Sequence, residues 1–265
     1  MNNPKFSIIT VCYNSDKTIE RTIRSILAQT CNDYEYIIVD GASKDSTLDI
    51  VKHYEPLFEG RMKWRSEPDK GIYNAMNKGI NRASGKIIGI VNSDDWLEPD
   101  ALEKVNFQSN KDSDNDKCIY SGNIVFHYKN GVNQLREASR ERLDKYAKSY
   151  DIGVFHPATF VGRQVYLTVG KYDEQFMLNA DVDFILRCYQ SNIRFNFVRS
   201  VLSNMSDCGA TNSGMTSKEI ADRKLVLKKH CTSNLEYINL YLRCVLKTYL
   251  KKILPHSTIT KIREE

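Results

Sequence analysis

Residues 86–96 read Lys-Ile-Ile-Gly-Ile-Val-Asn-Ser-Asp-Asp-Trp, a continuous apolar run that ends in two adjacent carboxylates, Asp94 and Asp95. Such a run is typical of a strand that is buried on both faces of a parallel sheet. Open α/β sheets bind their ligands beyond the carboxyl ends of these strands. The segment therefore places two acidic side chains where an α/β protein would hold a ligand.

Two acids in this position are costly to bury unless a cation neutralises them. Mg²⁺ typically uses one or two carboxylates together with substrate phosphates, so a divalent metal carrying a phosphorylated substrate is the simplest partner. The alternative is that Asp94 or Asp95 caps the turn that follows the strand. Both interpretations are open when this segment is taken alone.

The acidic strand continues an alternation of strands and helices that begins near the N-terminus. Strands are predicted over residues 6–13, 34–40 and 62–65, because each is a short run rich in β-branched or aromatic residues. Helices are predicted between them, the first with an apolar face of Ile19, Ile23, Ile26 and Leu27. This repetition indicates an α/β fold with a doubly wound, mostly parallel sheet.

The pattern is less regular after residue 100. Further strands are predicted over residues 118–128 and 158–162, and an amphipathic helix over 181–190. From residue 217 onward the sequence indicates helices that alternate basic and apolar side chains. At 265 residues, the chain is long enough for one domain with an extension or for two small domains.

Composition narrows the class of protein. The formal charge of +5 is no signature of nucleic-acid binding without a clustered basic patch, so we expect no nucleic-acid partner. Seven cysteines without close metal-ligand spacing fit a reducing cytoplasm better than a disulfide scaffold. The N-terminus has no signal-peptide pattern, and no apolar run approaches the roughly 20 residues of a membrane span. We therefore expect a cytoplasmic protein that is soluble or peripheral to the membrane.

Four segments in order resemble the family 2 glycosyltransferases, which have the GT-A fold. They are residues 6–14 (FSIITVCYN), 36–45 (YIIVDGASKD), 92–95 (NSDD) and 179–187 (NADVDFILR). The resemblance covers roughly residues 5 to 200, and the run at 67–79 is similar to members that build bacterial surface polysaccharides. It implies an α/β, Rossmann-like GT-A domain with helices flanking a mostly parallel sheet. We place that domain at residues 1–215 and a helical C-terminal extension at 216–265.

The resemblance implies a role for two residues at the sheet edge in binding the nucleotide. Asp40 ends the second predicted strand, and its equivalent in the family accepts a hydrogen bond from the base, usually from uracil. Thr10 lies at the base-binding edge of the first strand. A UDP-linked donor is therefore favoured. The alternative for Asp40 is a turn or cap residue, which is common after a strand.

The family binds its metal through Asp-x-Asp, whereas this chain has Asn92-Ser93-Asp94. Asn92 is expected to hydrogen-bond a ribose hydroxyl without adding charge. Asp94 is therefore the first metal ligand, with Asp95 beside it. Mn²⁺ or Mg²⁺ would neutralise the charge that grows on the departing diphosphate.

Asp69 and Lys70 precede a predicted helix that begins at residue 72. Helix N-termini and neighbouring lysines favour anions, so both residues are candidates for contact with the sugar diphosphate. A surface turn is the alternative.

The candidate general base is Asp181. The family usually has Glu-Asp at this point, and this chain has Ala180-Asp181, so the base position is kept. Asp183 is a rival, but helix residues two apart point roughly 200° from one another, so both cannot face one cleft. Arg187 stands four residues after Asp183 and is a ready partner for it on a solvent face. Asp183 is therefore expected to be structural.

His156 begins a predicted strand that leads toward the Asp181 helix. It is a candidate for contact with the acceptor, or else a half-buried structural histidine. The segment at 235–254 has apolar residues at helical spacing, with basic residues nearby. It either packs on the catalytic domain or lies on an anionic membrane, where a polyprenol-linked acceptor would be held.

Together these features predict an inverting glycosyltransferase that moves a sugar from a nucleotide-sugar donor to a saccharide or lipid-linked saccharide. A nucleotidyltransferase would be expected to carry an early Gly-rich, basic phosphate loop, and residues 14–17 read Asn-Ser-Asp-Lys instead. A non-catalytic sugar-nucleotide-binding assembly subunit would tolerate loss of the base, yet Asp181 is present.

Overall fold

Four neighbouring parallel strands form one half of the sheet, in the order β3-β2-β1-β4. They are β1 (Phe6–Cys12), β2 (Tyr34–Asp40), β3 (Met62–Ser66) and β4 (Ile87–Ile90). We describe them in a computed structural model that covers residues 3–207 and 217–253. Every residue of β1, β2 and β4 is buried, as expected for apolar strands covered on both faces. The strands predicted from the first hundred residues are confirmed.

Three helices connect these strands: α1 (Ile19–Leu27), α2 (Thr47–Tyr54) and α3 (Ile72–Arg82). Ile19, Ile23 and Ile26 are fully buried, so the apolar face predicted for α1 does face the core. Alternate residues of β1 point to opposite faces of the sheet. Ile9 therefore packs with α3 on one face, while Ile8 packs with α1 on the other.

The second half of the sheet is mixed. Its strands follow β4 in the order β8-β6-β9-β5, and β7 pairs with β6. Strand β8 is antiparallel to both of its neighbours, whereas β6 and β9 are parallel. The parallel arrangement is thus confined to the first four strands and one later pair. The elements are β5 (Trp96–Leu97), α4 (Ala101–Ser109), β6 (Cys118–His127), β7 (Asn133–Arg136), α5 (Arg140–Ala147), β8 (Thr159–Gly162), α6 (Arg163–Val169), α7 (Ala180–Gln190) and β9 (Arg194–Ser206).

Two C-terminal helices, α8 (Ser217–His230) and α9 (Asn234–Ile253), follow the sheet. Val226 and Leu227 of α8 are fully buried in the same apolar cluster as Phe184 of α7. The predicted boundary between the two parts of the chain, at residues 215 and 216, lies outside the described residues.

Helix α9 packs with one side and is exposed on another. Its aromatic residues Tyr237 and Tyr241 and the neighbouring Leu240 contact the core, and a stripe of apolar side chains is exposed: Leu235, Ile238, Leu242 and Leu246. The side chains of the lysines at 247, 251 and 252 and of residues 249 and 253 are outside the described part, as is all of residue 254. Among the helices in the described ranges, none has the length and hydropathy needed to cross a membrane.

Candidate active site

A cleft of about 840 Å³ opens beyond the carboxyl ends of β1 and β4. Its walls are the N-terminal turns of α3 and α7 and the end of β9. This is where an α/β sheet is expected to bind its ligand. The cleft brings together most of the residues predicted for the site, namely Asp69, Asn92, Asp94, Asp95, His156 and Asp181.

The acid pair lies directly after β4. Asp95 is only 2% exposed, and one of its carboxylate oxygens accepts the backbone N–H of Ser206 at 3.2 Å. Burial raises the pKa of Asp94, and burial together with the charge of Asp94 raises the pKa of Asp95 well above its usual range. The positive charge of Arg21 opposes both shifts. A bound cation would therefore stabilise the ionised form of both carboxylates.

Asn92 completes this donor set. Its side-chain Oδ1 is buried and has no hydrogen-bond partner, which is costly unless a ligand supplies one. An amide oxygen beside two carboxylates is the oxygen-rich environment that Mg²⁺ and Mn²⁺ prefer. No group of three or more His, Cys, Asp or Glu in the described ranges is placed to hold a metal alone. The residues therefore fit a metal that takes its remaining ligands from substrate phosphates.

At the other side of the cleft, Asp181 stands in the first turn of α7. Burial raises the pKa of its carboxyl to about 6, although the N–H of Val182 and the hydroxyl of Tyr73 oppose the shift. Tyr73 donates its hydroxyl to Asp181 Oδ1 at 3.2 Å. A carboxylate that is ionised at neutral pH, with a pKa this close to it, is suited to accept a proton.

Asp183 has a different environment, and it does not line the cleft. It is fully buried and pairs with Arg187 at 2.8 Å, Lys229 at 2.8 Å and His230 Nε2 at 3.0 Å. Burial alone would raise the pKa of this carboxyl, but its cationic and hydrogen-bonding partners hold it well below the usual range. The pairing predicted with Arg187 is confirmed. The predicted solvent face is wrong, because α8 covers Asp183.

Asp40 is fully buried at the end of β2 and does not line the cleft. Its carboxylate accepts the N–H and hydroxyl of Ser43, the hydroxyl of Ser66 at 2.6 Å and the thiol of Cys12 at 3.6 Å. A carboxylate has about four lone-pair sites, and these four donors occupy them. Contact between Asp40 and a base stays a prediction. It requires one of these four hydrogen bonds to break, so that a carboxylate oxygen can accept the N–H of the base.

Thr10 is also fully buried away from the cleft surface. Its hydroxyl accepts a hydrogen bond of 3.0 Å from Tyr36 in the interior. The residues of β1 that reach the cleft are Val11 and Cys12, directly after Thr10, so contact between Thr10 and a base stays a prediction. Lys70 is exposed, and its side chain does not line the cleft either.

Asp69 lines the cleft, as does Asp16 in the segment after β1. The Oδ1 of Asp69 accepts the N–H of Gly71 at 2.9 Å, and its Oδ2 lies so close to Gly41 that a Cβ there would be 2.6 Å away. Tyr13 also lines the cleft and is 62% exposed. Sequence reasoning missed Tyr13, although its place directly after a buried strand was a usable signal.

His156 lines the cleft near Asp181 and also a small cavity beneath it. Burial lowers the pKa of its imidazole to about 4, so the ring is neutral at pH 7. Its Nδ1 is buried without a partner, and its Nε2 lies 3.5 Å from the hydroxyl of Tyr172. This position suits both alternatives, a structural histidine and a neutral hydrogen-bonding group facing the acceptor.

Comparison with known proteins identifies related sequences. The family model described as glycosyl transferase family 2 matches residues 7–169. A relative from Mycobacterium bovis, named PGL/p-HBAD biosynthesis glycosyltransferase, is 29% identical over 225 residues. That match covers 84% of this chain and 85% of the relative.

Solved structures of low sequence identity share the fold. S. aureus TarS 1–349 in complex with UDP-GlcNAc has a TM-score of 0.69 at 19% identity, covering 93% of this chain and 73% of that one. The mannosyltransferase PcManGT from Pyrobaculum calidifontis, in complex with GDP-Man and Mn²⁺, has a TM-score of 0.62 at 15% identity. That comparison covers 91% of this chain and 69% of the other.

Proposed function

The chain belongs to glycosyl transferase family 2 and has the GT-A fold, and from this premise we propose that it is a metal-dependent, inverting enzyme. In this proposal it moves a sugar from a nucleotide-sugar donor to a saccharide or lipid-linked saccharide in the synthesis of a bacterial surface polysaccharide. One observation carries the proposal. A single cleft holds a buried acid pair beside an unpartnered amide oxygen, and a carboxylate with a pKa of about 6.

We propose a UDP-linked donor. The neighbouring structures hold UDP-GlcNAc in one case and GDP-Man in the other, so the fold accepts both bases. Because the carboxylate of Asp40 is occupied by its own donors, we propose that Asp69, whose Oδ2 lies beside Gly41, accepts the N3–H of uracil in its place. The exposed ring of Tyr13 beside Gly41 offers a surface on which a base can stack.

The diphosphate would lie over the end of β4. Asp94 and Asp95 would hold Mn²⁺ or Mg²⁺, with the Asn92 oxygen facing the ligand. When bound, the metal supplies positive charge that neutralises the departing diphosphate.

Transfer is one displacement. Asp181 accepts the proton of the acceptor hydroxyl while that oxygen forms a bond to the anomeric carbon. The bond between this carbon and the diphosphate oxygen breaks on the opposite face, and the nucleoside diphosphate keeps the electron pair. One displacement inverts the anomeric configuration and needs no covalent intermediate. Tyr73 stabilises the ionised form of Asp181 before the proton is taken.

We also propose that the protein binds at the inner face of the membrane, where polyprenol-linked acceptors are held. The exposed apolar stripe of α9, from Leu235 to Leu246, supports this location. Arg243 lies within the same part of the helix.

Thermal unfolding with and without Mn²⁺ tests the donor half of the proposal. A ligand that binds only the native protein raises its melting temperature, so UDP with Mn²⁺ should raise it more than UDP alone. Asp94→Ala should remove the difference while the protein stays folded. An equal response to UDP in EDTA would contradict metal dependence, and a larger response to GDP would contradict the choice of uracil.

Product analysis tests the catalytic half. Asp181→Asn keeps the size of the side chain and removes its basicity, so transfer should fall about 10²–10⁴-fold while UDP still binds. Full transfer by this variant would show that Asp181 is not the base. Retention of the anomeric configuration in the product would exclude the single displacement.

A further inference from the structure

Residues 177–179, which lead into the helix α7 that carries Asp181, are held by a residue of α8. Met177 and Leu178 of this segment line the cleft. The backbone N–H groups of residues 177, 178 and 179 all donate to one oxygen of Asp222, at 2.9, 2.6 and 3.1 Å. Asp222 belongs to α8 and is only 4% exposed. Three convergent N–H groups on one buried carboxylate oxygen fix the path of this segment.

The next residue of α8 holds a second segment on the same side of the cleft. The guanidinium of Arg223 donates to the carbonyl of Ser149 at 2.6 Å and to that of Tyr150. The chain after Tyr150 leads to His156, and its residues Ile152 and Val154 line the small cavity under Asp181. One turn of α8 therefore holds both segments beside the base.

We propose that Asp222 is a positioning residue of the transfer reaction and that α8 supports, from outside the cleft, the segments on the acceptor side of the site. This inference rests on the proposed function. Asp222 fixes residues 177–179, and these fix the first turn of α7, from which Asp181 reaches the acceptor hydroxyl. A displacement of about 1 Å in such a support can cost about 10²-fold in rate.

The donor side does not depend on this contact. Asp94 and Asp95 are carried by the segment after β4 and Asp69 by the segment after β3, whereas the hydrogen bonds of Asp222 go to residues 177–179. Loss of the Asp222 contact should therefore lower kcat and leave the donor KM unchanged. Because a smaller amount of folded enzyme would give the same pattern, kcat is calculated from the concentration of folded protein that binds UDP.

The test compares Asp222→Ala and Asp222→Asn with the matched control Glu236→Gln. Glu236 of α9 accepts the hydroxyl of Tyr150 at 3.0 Å, so Glu236→Gln neutralises a hydrogen-bonded carboxylate of the C-terminal helices, as Asp222→Asn does, without touching residues 177–179. We expect kcat to fall about 10- to 100-fold in Asp222→Ala, with Asp222→Asn intermediate because its amide oxygen still accepts hydrogen bonds. The control should retain wild-type kcat.

Hydrogen exchange gives a readout that does not need activity. The amides of residues 177–179 should exchange at least about 10-fold faster in Asp222→Ala than in the wild type, and at wild-type rates in Glu236→Gln. Unchanged exchange at these amides, or a loss of kcat no larger than that of the control, would overturn the inference. If Asp222→Ala does not fold, Asp222→Asn decides by the same two measurements. Absence of sugar transfer by the wild type would refute the proposed function. Hydrogen exchange would then still test whether Asp222 fixes residues 177–179.

Discussion

At the residue scale, two carboxylates with similar positions in the sequence have different hydrogen-bonding environments in the structure. Asp40 and Asp69 both stand after strands at the same sheet edge. Asp40 is saturated by donors from its own turn and from Ser66, whereas Asp69 faces the cleft with one oxygen beside Gly41. The position of each residue near the end of a strand can be predicted from the sequence. The number of hydrogen-bond donors around its carboxylate cannot, because that number depends on how neighbouring turns fold onto it.

Tyr73→Phe should shift the pH dependence of the enzyme. The pKa of Asp181 is about 6, and only its ionised form accepts a proton, so kcat/KM should fall tenfold per pH unit well below pH 6. The Tyr73 hydroxyl stabilises the ionised form, so its loss raises the pKa of Asp181. In Tyr73→Phe, the acidic limb of the curve of kcat/KM against pH should move to higher pH by about half a unit or more. Profiles of kcat/KM against pH measure this.

Tyr54→Phe is the control for that shift. Tyr54 also donates its hydroxyl to a carboxylate, that of Glu20, but outside the cleft. Its profile should match the wild type. A limb that stays in place in Tyr73→Phe, or moves to lower pH, would show that this hydroxyl does not act on the base.

Gly41→Ala should weaken UDP binding through Asp69. The new Cβ would lie 2.6 Å from Asp69 Oδ2, and the far end of that side chain can move away. We expect the Kd for UDP to rise about 10-fold, a loss of roughly 1.4 kcal/mol, with little change in melting temperature. Asp69→Ala should have a similar effect. The double variant should bind no more weakly than Asp69→Ala, since both changes remove one contact. Additive losses would contradict this coupling.

At the element scale, sequence patterns predicted the parallel strands and α1 well, because each element buries a single continuous face. Strand β9 was not predicted. It pairs with β6 across register shifts near Gly122 and Asn123, so its buried residues do not alternate regularly along the strand. The contact of Asp222 with residues 177–179 was also invisible, because its partners are backbone groups more than forty residues away.

Helix α9 packs on the core with one side, and its contact with a membrane through the exposed apolar side stays a prediction. Tyr237 and Tyr241 pack on the core, so removing the whole helix would disturb folding as well as any membrane contact. Replacing the exposed Ile238 and Leu242 together by serine is a cleaner test. The double variant should float less with anionic vesicles at an unchanged melting temperature, because the apolar area available to the bilayer is smaller.

Leu167→Ser is the matched control, since Leu167 is 70% exposed on α6 and lies outside the α9 stripe. It should float like the wild type. Equal flotation of all three proteins would indicate that α9 serves only to pack on the catalytic part.

At the scale of the whole molecule, the cleft joins two differently built halves of one sheet. The parallel half supplies the acid pair after β4, and the elements of the mixed half supply Asp181, the proposed base, on α7. Asp95 links them directly, because it accepts the N–H of Ser206 at the end of β9. The cluster around Asp183 then fastens α7 to α8.

Asp183→Asn should destabilise the fold in a pH-dependent way. The folded pKa of Asp183 lies below its unfolded value, so its stabilising effect is present above about pH 4 and is lost as the pH falls. The variant should have a free energy of unfolding about 1–3 kcal/mol below the wild type at neutral pH. The gap should narrow below about pH 4, where the carboxyl of the unfolded wild type is protonated.

Urea unfolding from pH 3 to pH 7 measures the difference in the free energy of unfolding between the wild type and Asp183→Asn. Arg187, Lys229 and His230 face the carboxyl, and Asp173 shares Lys229. A gap that stays constant down to pH 3 would assign the loss to packing instead of charge.

The contact of Asp222 with residues 177–179 has a consequence for how the protein is made. The ribosome produces the strands of the sheet and α7 first, and Asp222, which fixes residues 177–179, more than forty residues later. A nascent chain that still lacks α8 already holds Asp94 and Asp95, but the amides of residues 177–179 do not yet have Asp222 as their acceptor. If Asp181 is the base, as we propose, the nascent chain should therefore gain donor binding before it gains sugar transfer.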